Sequence, residues 1–271
     1  RDSYNINPAK IEASVTSDTG AILPVHVYGT PCDITSISEI ANRHKLPVIY
    51  DAAHAFGVQH QGESILNKGD ISILSFHATK VFNTIEGGAL ISKNKDLKEQ
   101  IDDYANFCIK NEETINGVGI NGKMNEVQAA YGLVQLRYVA QYISKNKQLA
   151  LLYNSRLTNI PGINHLSDSQ LNCTNASYYP ITVIEQSFGK SRDDLYIELA
   201  EKGIHTRKYF YPLITDIPEY RHYGREVDLS NSVSASRNVL CLPIYPELSF
   251  EEVHFICDEL ERIYEARRRS S

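Results

Sequence analysis

The chain has 271 residues, 42% hydrophobic and 22% charged, with a formal net charge of -6. That supplies apolar material for one large domain or two modest ones. An acidic chain without a basic stripe excludes nucleic acid as an expected partner, and no apolar run reaches the length of a membrane span or forms a signal peptide. The first predicted element is a strand over residues 21–28, ended by Gly29; Pro24 inside the run counts against a central position. A helix is expected over 36–43, where Ser36 and Glu39 have capping-box spacing and Ile37, Ile40 and Ala41 recur on one face. Strands over 46–50, 71–76 and 88–92 follow, and alternation of strand and helix predicts parallel pairing in an α/β sheet. Helices then take over at 97–107 and at 124–154, the second with room for one break and with Val127, Ala130, Tyr131, Val134 and Tyr138 on its apolar face. Residues 162–174 are polar and read as a loop. A strand over 178–184 and helices over 192–202 and 250–262 complete a smaller α/β domain. The expected division is a large domain over 1–150 and a small one over 151–271.

Three features in the first half carry chemistry. Asp51 closes one strand, Lys80 follows another, and Gly87 and Gly88 come just after. In open α/β sheets ligands sit beyond the carboxyl ends of the strands, where Asp51 and Lys80 are both expected. Pyridoxal 5'-phosphate (PLP) chemistry needs such a pair: an amine that bonds to the cofactor, and a carboxylate that keeps the pyridine nitrogen protonated. The amine must be neutral to attack a carbonyl, and desolvation lowers its pKa. Taken singly the two residues are ambiguous. An Asp after a strand is commonly a helix cap, and a lone Lys is commonly a solvated surface charge. Their combination is what singles them out.

Residues 22–29 (ILPVHVYG), 51–57 (DAAHAFG), 75–80 (SFHATK) with 86–88 (EGG), and 119–124 (GINGKM) occur in that order. Together they resemble the DegT/DnrJ/EryC1/StrS family of sugar aminotransferases, and the likeness runs on to 209–213 (YFYPL) and 242–245 (LPIY). The resemblance implies the fold-type I PLP-dependent transferase architecture: a mostly parallel sheet in the large domain, a smaller C-terminal α/β domain, and a homodimer with a shared active site. By position it makes Lys80 the Schiff-base lysine and Asp51 the partner of the pyridine nitrogen. It puts His54 near the cofactor ring and its phenolic oxygen, makes Ser75 a phosphate-binding hydroxyl, and has Asn121 reach the phosphate of the neighbouring subunit. The packing-only alternatives are that His54 merely fills space, that Ser75 bonds within its turn, and that Asn121 caps the helix starting near Met124. Arg207, Tyr209 and Tyr211 fall in the family's substrate-facing segment, though a tyrosine is equally at home in a half-buried packing site.

Within the family the motif contexts are similar to bacterial enzymes that make dTDP-4-amino-4,6-dideoxyglucose for cell-surface polysaccharide such as O-antigen. The implied reaction moves an amino group from glutamate to dTDP-4-keto-6-deoxyglucose. Some relatives carry His where Lys80 stands and act as dehydratases, so Lys80 favours transamination. One departure stands out: the family's earlier segment, with a phosphate loop and an aromatic residue that stacks on the cofactor, is not found before Arg1. An N-terminal portion is therefore expected to be missing. The other readings are amination at C3 or on a UDP-linked sugar, and a non-catalytic truncated relative that only binds a partner. A hydrolase using Ser75 and His77 carries little weight. The five cysteines, Cys32, Cys108, Cys173, Cys241 and Cys257, form no C-x-x-C pair. No metal is indicated, and a reducing cytoplasm fits best. Arg267, Arg268 and Arg269 read as a solvated end.

Overall fold

The computed structural model describes residues 3–224 and 227–268, so Arg1 and Arg269 lie outside the described residues. The chain divides into two compact units. One contains Asn5–Tyr142 and Cys173–Asn175; the other contains the rest of the described chain.

The first unit is built on a three-stranded sheet, Ile49–Asp51, Ile71–Ser75 and Gly88–Ile91 in that spatial order. The first pair is parallel, with Asp51 opposite Ile73. The second pair is antiparallel, with Ser75 opposite Gly88, so the predicted parallel rhythm stops here. Residues 76–87 contain no crossover helix, and a loop alone suffices to join antiparallel neighbours. Phe76 N–H donates to the Gly87 carbonyl at 2.8 Å, which closes that loop on itself.

The strand expected over 21–28 is reduced to two parallel bridges, Ile22 to Val48 and Val25 to Asp51. Pro24 has no N–H for a continuous ladder, and the run ends in a short 3-10 turn, Val27–Gly29, with Tyr28 at φ 55°. The next helix is Ile34–His44. Its cap is Asp33, whose carboxylate accepts from Ser36 N–H at 3.1 Å, not the Ser36/Glu39 box read from the sequence. Ile37, Ile40 and Ala41 are buried as their spacing predicts. With Val48, Tyr50 and Ile65 they belong to the core of this unit. Each such aliphatic side chain contributes about 2 kcal/mol by leaving water.

Lys95–Ala105 is capped by Asn94. The long stretch is two helices, Glu126–Gln135 and Val139–Leu157, with the anticipated break at residues 136–138. The expected apolar face of this stretch is not buried: Val127, Tyr131 and Val134 on the first helix and Tyr138 in the break are all exposed.

The second unit packs helices on an antiparallel sheet, Ile163–His165, Tyr179–Val183 and Val239–Leu242, with Tyr179–Val183 in the middle. The predicted loop over 162–174 thus contains a strand and the short helix Asp168–Asn172. Helices Arg192–Glu201, Ser230–Asn238 and Phe250–Arg268 complete it. Inside the core Tyr179 Oη donates to Asn154 Oδ1 at 2.6 Å, and Asn154 Nδ2 donates to the Leu166 carbonyl at 2.9 Å. The buried Tyr179 hydroxyl and Asn154 amide are thereby satisfied. Among the described residues no helix is long and apolar enough to cross a membrane.

Candidate active site

Parallel pairing brings the carboxyl ends of consecutive strands to one edge of the sheet. Here that edge carries Asp51 and Ser75, and each is followed by a loop that turns back over it. The Asp51 loop is pinned locally: Ala53 N–H donates to Asp51 Oδ1 at 3.0 Å, and Asp51 N–H donates to the Pro24 carbonyl at 2.9 Å. The Ser75 loop leads to Lys80, whose N–H donates to the His77 carbonyl at 2.9 Å. Three aromatic rings lock the two loops together. Phe56 stacks on Phe82 at 4.3 Å, and Phe76 meets Phe82 edge-on at 4.8 Å. Such pairs add about 1 kcal/mol each beyond area burial. Sequence reasoning missed this cluster, although Phe56, Phe76 and Phe82 each lie within five positions of a chemical residue.

Lys80 is half-buried. Desolvation lowers its pKa, and the negative charge of Asp51 partly opposes the shift. The pair therefore sits close enough to couple, in surroundings that favour a neutral amine. His54 lies on the loop after Asp51. Its Nδ1 accepts the Tyr28 N–H at 3.2 Å, so the proton of the neutral ring is on Nε2, which is a donor. Burial, with a smaller contribution from the Lys80 charge, pushes its pKa down to about 3, so the ring is neutral near pH 7.

Glycines shape the same region. Gly29 has φ 78°, and a methyl there would lie 2.7 Å from the His54 carbonyl oxygen. Only glycine permits that approach without strain. At Gly88 a methyl would lie 2.6 Å from the Leu74 carbonyl oxygen.

Ser75 is half-buried, and its Oγ accepts from His77 N–H at 3.3 Å. A strand places positions two apart on one face, so spacing alone does not separate Ser75 from His77. The structure separates them. The strand ends at Ser75, and His77 Nδ1 is engaged with Thr79 Oγ1 at 2.9 Å, while its Nε2 lies 3.7 Å from Glu86. No nucleophile–base pair is formed.

Asn121 is exposed on the segment after Gly117 and is held by a backbone bridge to Asn106. It does not cap the following helix; Asn125 does, with Gln128 completing the box. Arg207, Tyr209 and Tyr211 belong to the other unit. Arg207 bridges to Cys241 through its backbone. Tyr209 meets Tyr178 edge-on at 5.9 Å. The ring of Tyr211 lies 5.1 Å from the Arg192 guanidinium and lines a cavity with Glu185, Asp216 and Arg237.

The donor set around Asp51 and Lys80 is an amine inclined to neutrality, a carboxylate, an imidazole N–H and a hydroxyl. That set matches an aldehyde, a protonated ring nitrogen, a phenolic oxygen and a phosphate. Comparison with known proteins points the same way. The model of the DegT/DnrJ/EryC1/StrS aminotransferase family matches residues 1–261. A dTDP-4-amino-4,6-dideoxy-D-glucose transaminase of Shigella dysenteriae is 44% identical over 254 residues, covering 94% of this chain and 69% of its own length. One from Escherichia coli is 45% identical over 257 residues, covering 93% and 68%. The crystal structure of DesI in the presence of its TDP-sugar product superposes with a TM-score of 0.91 at 30% identity, over 99% of this chain and 70% of that one.

Proposed function

The chain belongs to the DegT/DnrJ/EryC1/StrS aminotransferase family, and on that premise we propose how its residues serve the reaction and which substrates it takes. It is a PLP-dependent sugar-nucleotide aminotransferase. The reading of its site rests chiefly on Lys80, an amine whose pKa is lowered by desolvation beside the Asp51 charge at the carboxyl edge of the sheet.

When bound, PLP supplies an aldehyde that takes up the donor's nitrogen and a ring that spreads the charge left when the donor's α-proton departs. Lys80 Nζ, whose pKa desolvation lowers, is the attachment point and afterwards the base that moves that proton. The Asp51 carboxylate holds a proton on the ring nitrogen. His54 Nε2–H donates to the ring oxygen, and the tautomer set by Tyr28 supports that role. The Ser75 hydroxyl donates to the phosphate. Over the full cycle the C–N bond of the donor breaks and a C–N bond forms at the sugar carbon. The donor leaves as its 2-oxo acid.

The acceptor is dTDP-4-keto-6-deoxyglucose and the product dTDP-4-amino-4,6-dideoxyglucose, supported by the names of relatives at 44% and 45% identity. Glutamate is the donor we favour. Arg207, Tyr209 and Tyr211 are the proposed contacts to the nucleotide sugar, offering a guanidinium and two phenols to a diphosphate and its sugar. The working form is a homodimer in which Asn121 reaches the phosphate held by the other copy. Val118, Ile120, Val127, Leu133, Val134 and Leu136 support this: each is an exposed large apolar side chain on, just before or just after the helix Glu126–Gln135. Exposed apolar patches mark association surfaces. The five cysteines are free thiols, in keeping with a cytoplasmic place of work.

An assay with glutamate and a panel of keto-sugar nucleotides tests the substrate. Amino transfer to dTDP-4-keto-6-deoxyglucose is expected to exceed that to 3-keto and UDP-linked sugars. Transfer only to a 3-keto or UDP-linked sugar would overturn the assignment.

A further inference from the structure

The loop after Asp51 is held by a residue far away in sequence. Asn175 is buried, and its Nδ2 donates to two carbonyl oxygens, those of His54 and Phe56, both at 2.9 Å. Both amide protons are thereby used. Turning the amide over would set Oδ1 against two carbonyl oxygens, so the orientation is fixed by the bonds themselves. Oδ1 accordingly faces Gly29, where a methyl would lie 3.0 Å from it. Residues 173–175 belong to the same compact unit as His54, although the chain on both sides of them belongs to the other unit.

Backbone conformation underlines the point. Tyr28, whose N–H fixes the His54 ring, has φ 55°, and Ala176, next to Asn175, has φ 49°. Left-handed conformations cost non-glycine residues about 1–3 kcal/mol and persist only where surrounding structure over-determines them. One belongs to the residue that holds the His54 ring nitrogen, the other to the residue next in sequence to Asn175.

We propose that Asn175 is a positioning residue for the transamination site: by tying down the His54 and Phe56 carbonyls, it holds the His54 ring against Tyr28 N–H and so keeps the Nε2–H donor aimed at one place. The inference rests on the PLP reading of the site. It assigns no contact between Asn175 and the cofactor. The clamp fixes the His54 backbone, and with the backbone fixed the Tyr28 N–H bond sets the tautomer of the ring. Loss of the clamp lets the turn relax and loosens that bond.

The test uses the full chain, first without cofactor. The ring nitrogens of His54 are read by 15N NMR at pH 7.5, assigned by comparison with His54→Gln. The wild type is expected to show the Nε2–H tautomer alone. Asn175→Ala is expected to show an average of the two tautomers. With PLP bound, the same variant is expected to lose about tenfold to a hundredfold in kcat, the scale of a misplaced reacting group, with KM for the sugar within about twofold. Asn175→Ser keeps one donor and should fall between the two; it also serves if Asn175→Ala does not fold. A folded Asn175→Ala or Asn175→Ser with the wild-type tautomer and wild-type kcat would overturn the proposal. Failure of the wild type itself to bind PLP would instead overturn the reading of the site, and the cofactor-free spectra separate the two outcomes.

Discussion

A lysine amine withdrawn from water gives up its proton more readily, and a carboxylate beside it resists that change. Lys80 and Asp51 stand in this relation. Asp51→Asn removes the opposing charge, so the pKa of Lys80 should fall further. The pH above which Lys80 reacts with an amine-directed reagent should therefore move down, and an unmoved profile would show that the two charges do not couple. The same substitution should leave the cofactor bound but slow turnover by about a hundredfold or more, as for other charge partners in desolvated sites. The buried histidines allow a separate prediction. Burial lowers the pKa of His26 from about 6.5 to about 4, and that of His54 to about 3. Below pH 6.5 the unfolded chain takes up protons that the folded chain refuses. Stability is thus lost as pH falls from about 6.5 toward 4 for His26 and toward 3 for His54, by about 1.4 kcal/mol per pH unit for each. His26→Asn cannot titrate there, and its side-chain oxygen can still accept the Cys32 N–H that His26 Nδ1 accepts at 3.0 Å. Urea unfolding at pH 7 and pH 5 should show a smaller loss for that variant than for the wild type. An equal loss would contradict the account.

Elements with a strong local signal were legible in the sequence: the strands near Asp51, Ser75 and Gly88, the helices at 97–107, 192–202 and 250–262, and the break in the long helical stretch. The nearness of Lys80 to Asp51 was legible because strand ends of a parallel pair share an edge. What could not be read depends on contacts distant in sequence. Asn175 looks like any polar loop residue until its carbonyl partners, 119 and 121 positions away, are known. The strand Ile163–His165 is too short and polar to show a period, and its pairing with Tyr179–Val183 is what makes it a strand. Capping was misread for a local reason: Asp33 and Ser36 both suit an N-cap, and only the bond to Ser36 N–H decides between them. Asp33→Ala should therefore destabilise the chain by about 1 kcal/mol. Ser36→Ala, which deletes a hydroxyl bonded to Asp33 at 2.7 Å but leaves the cap, should cost less. Thermal unfolding of the two variants would settle the order, and a larger loss for Ser36→Ala would restore the capping-box reading.

At the scale of the whole molecule, the apolar residues on Glu126–Gln135 and the exposed Asn121 before it belong to one argument. In a two-fold dimer each copy lends the same segment to the other. Mixing Lys80→Ala with Asn121→Ala chains should then restore part of the activity, because the heterodimer has one site with both defects and one with neither. No recovery, with subunit exchange demonstrated by mass, would exclude a shared site. Beneath this lies the claim on which every role assigned above depends, that the cofactor is carried on Lys80. The direct test is to load the full chain with PLP, reduce it with borohydride and map the labelled peptide. The account predicts a single label, on Lys80, and none in Lys80→Ala; a label on another lysine, or none in the wild type, would contradict it.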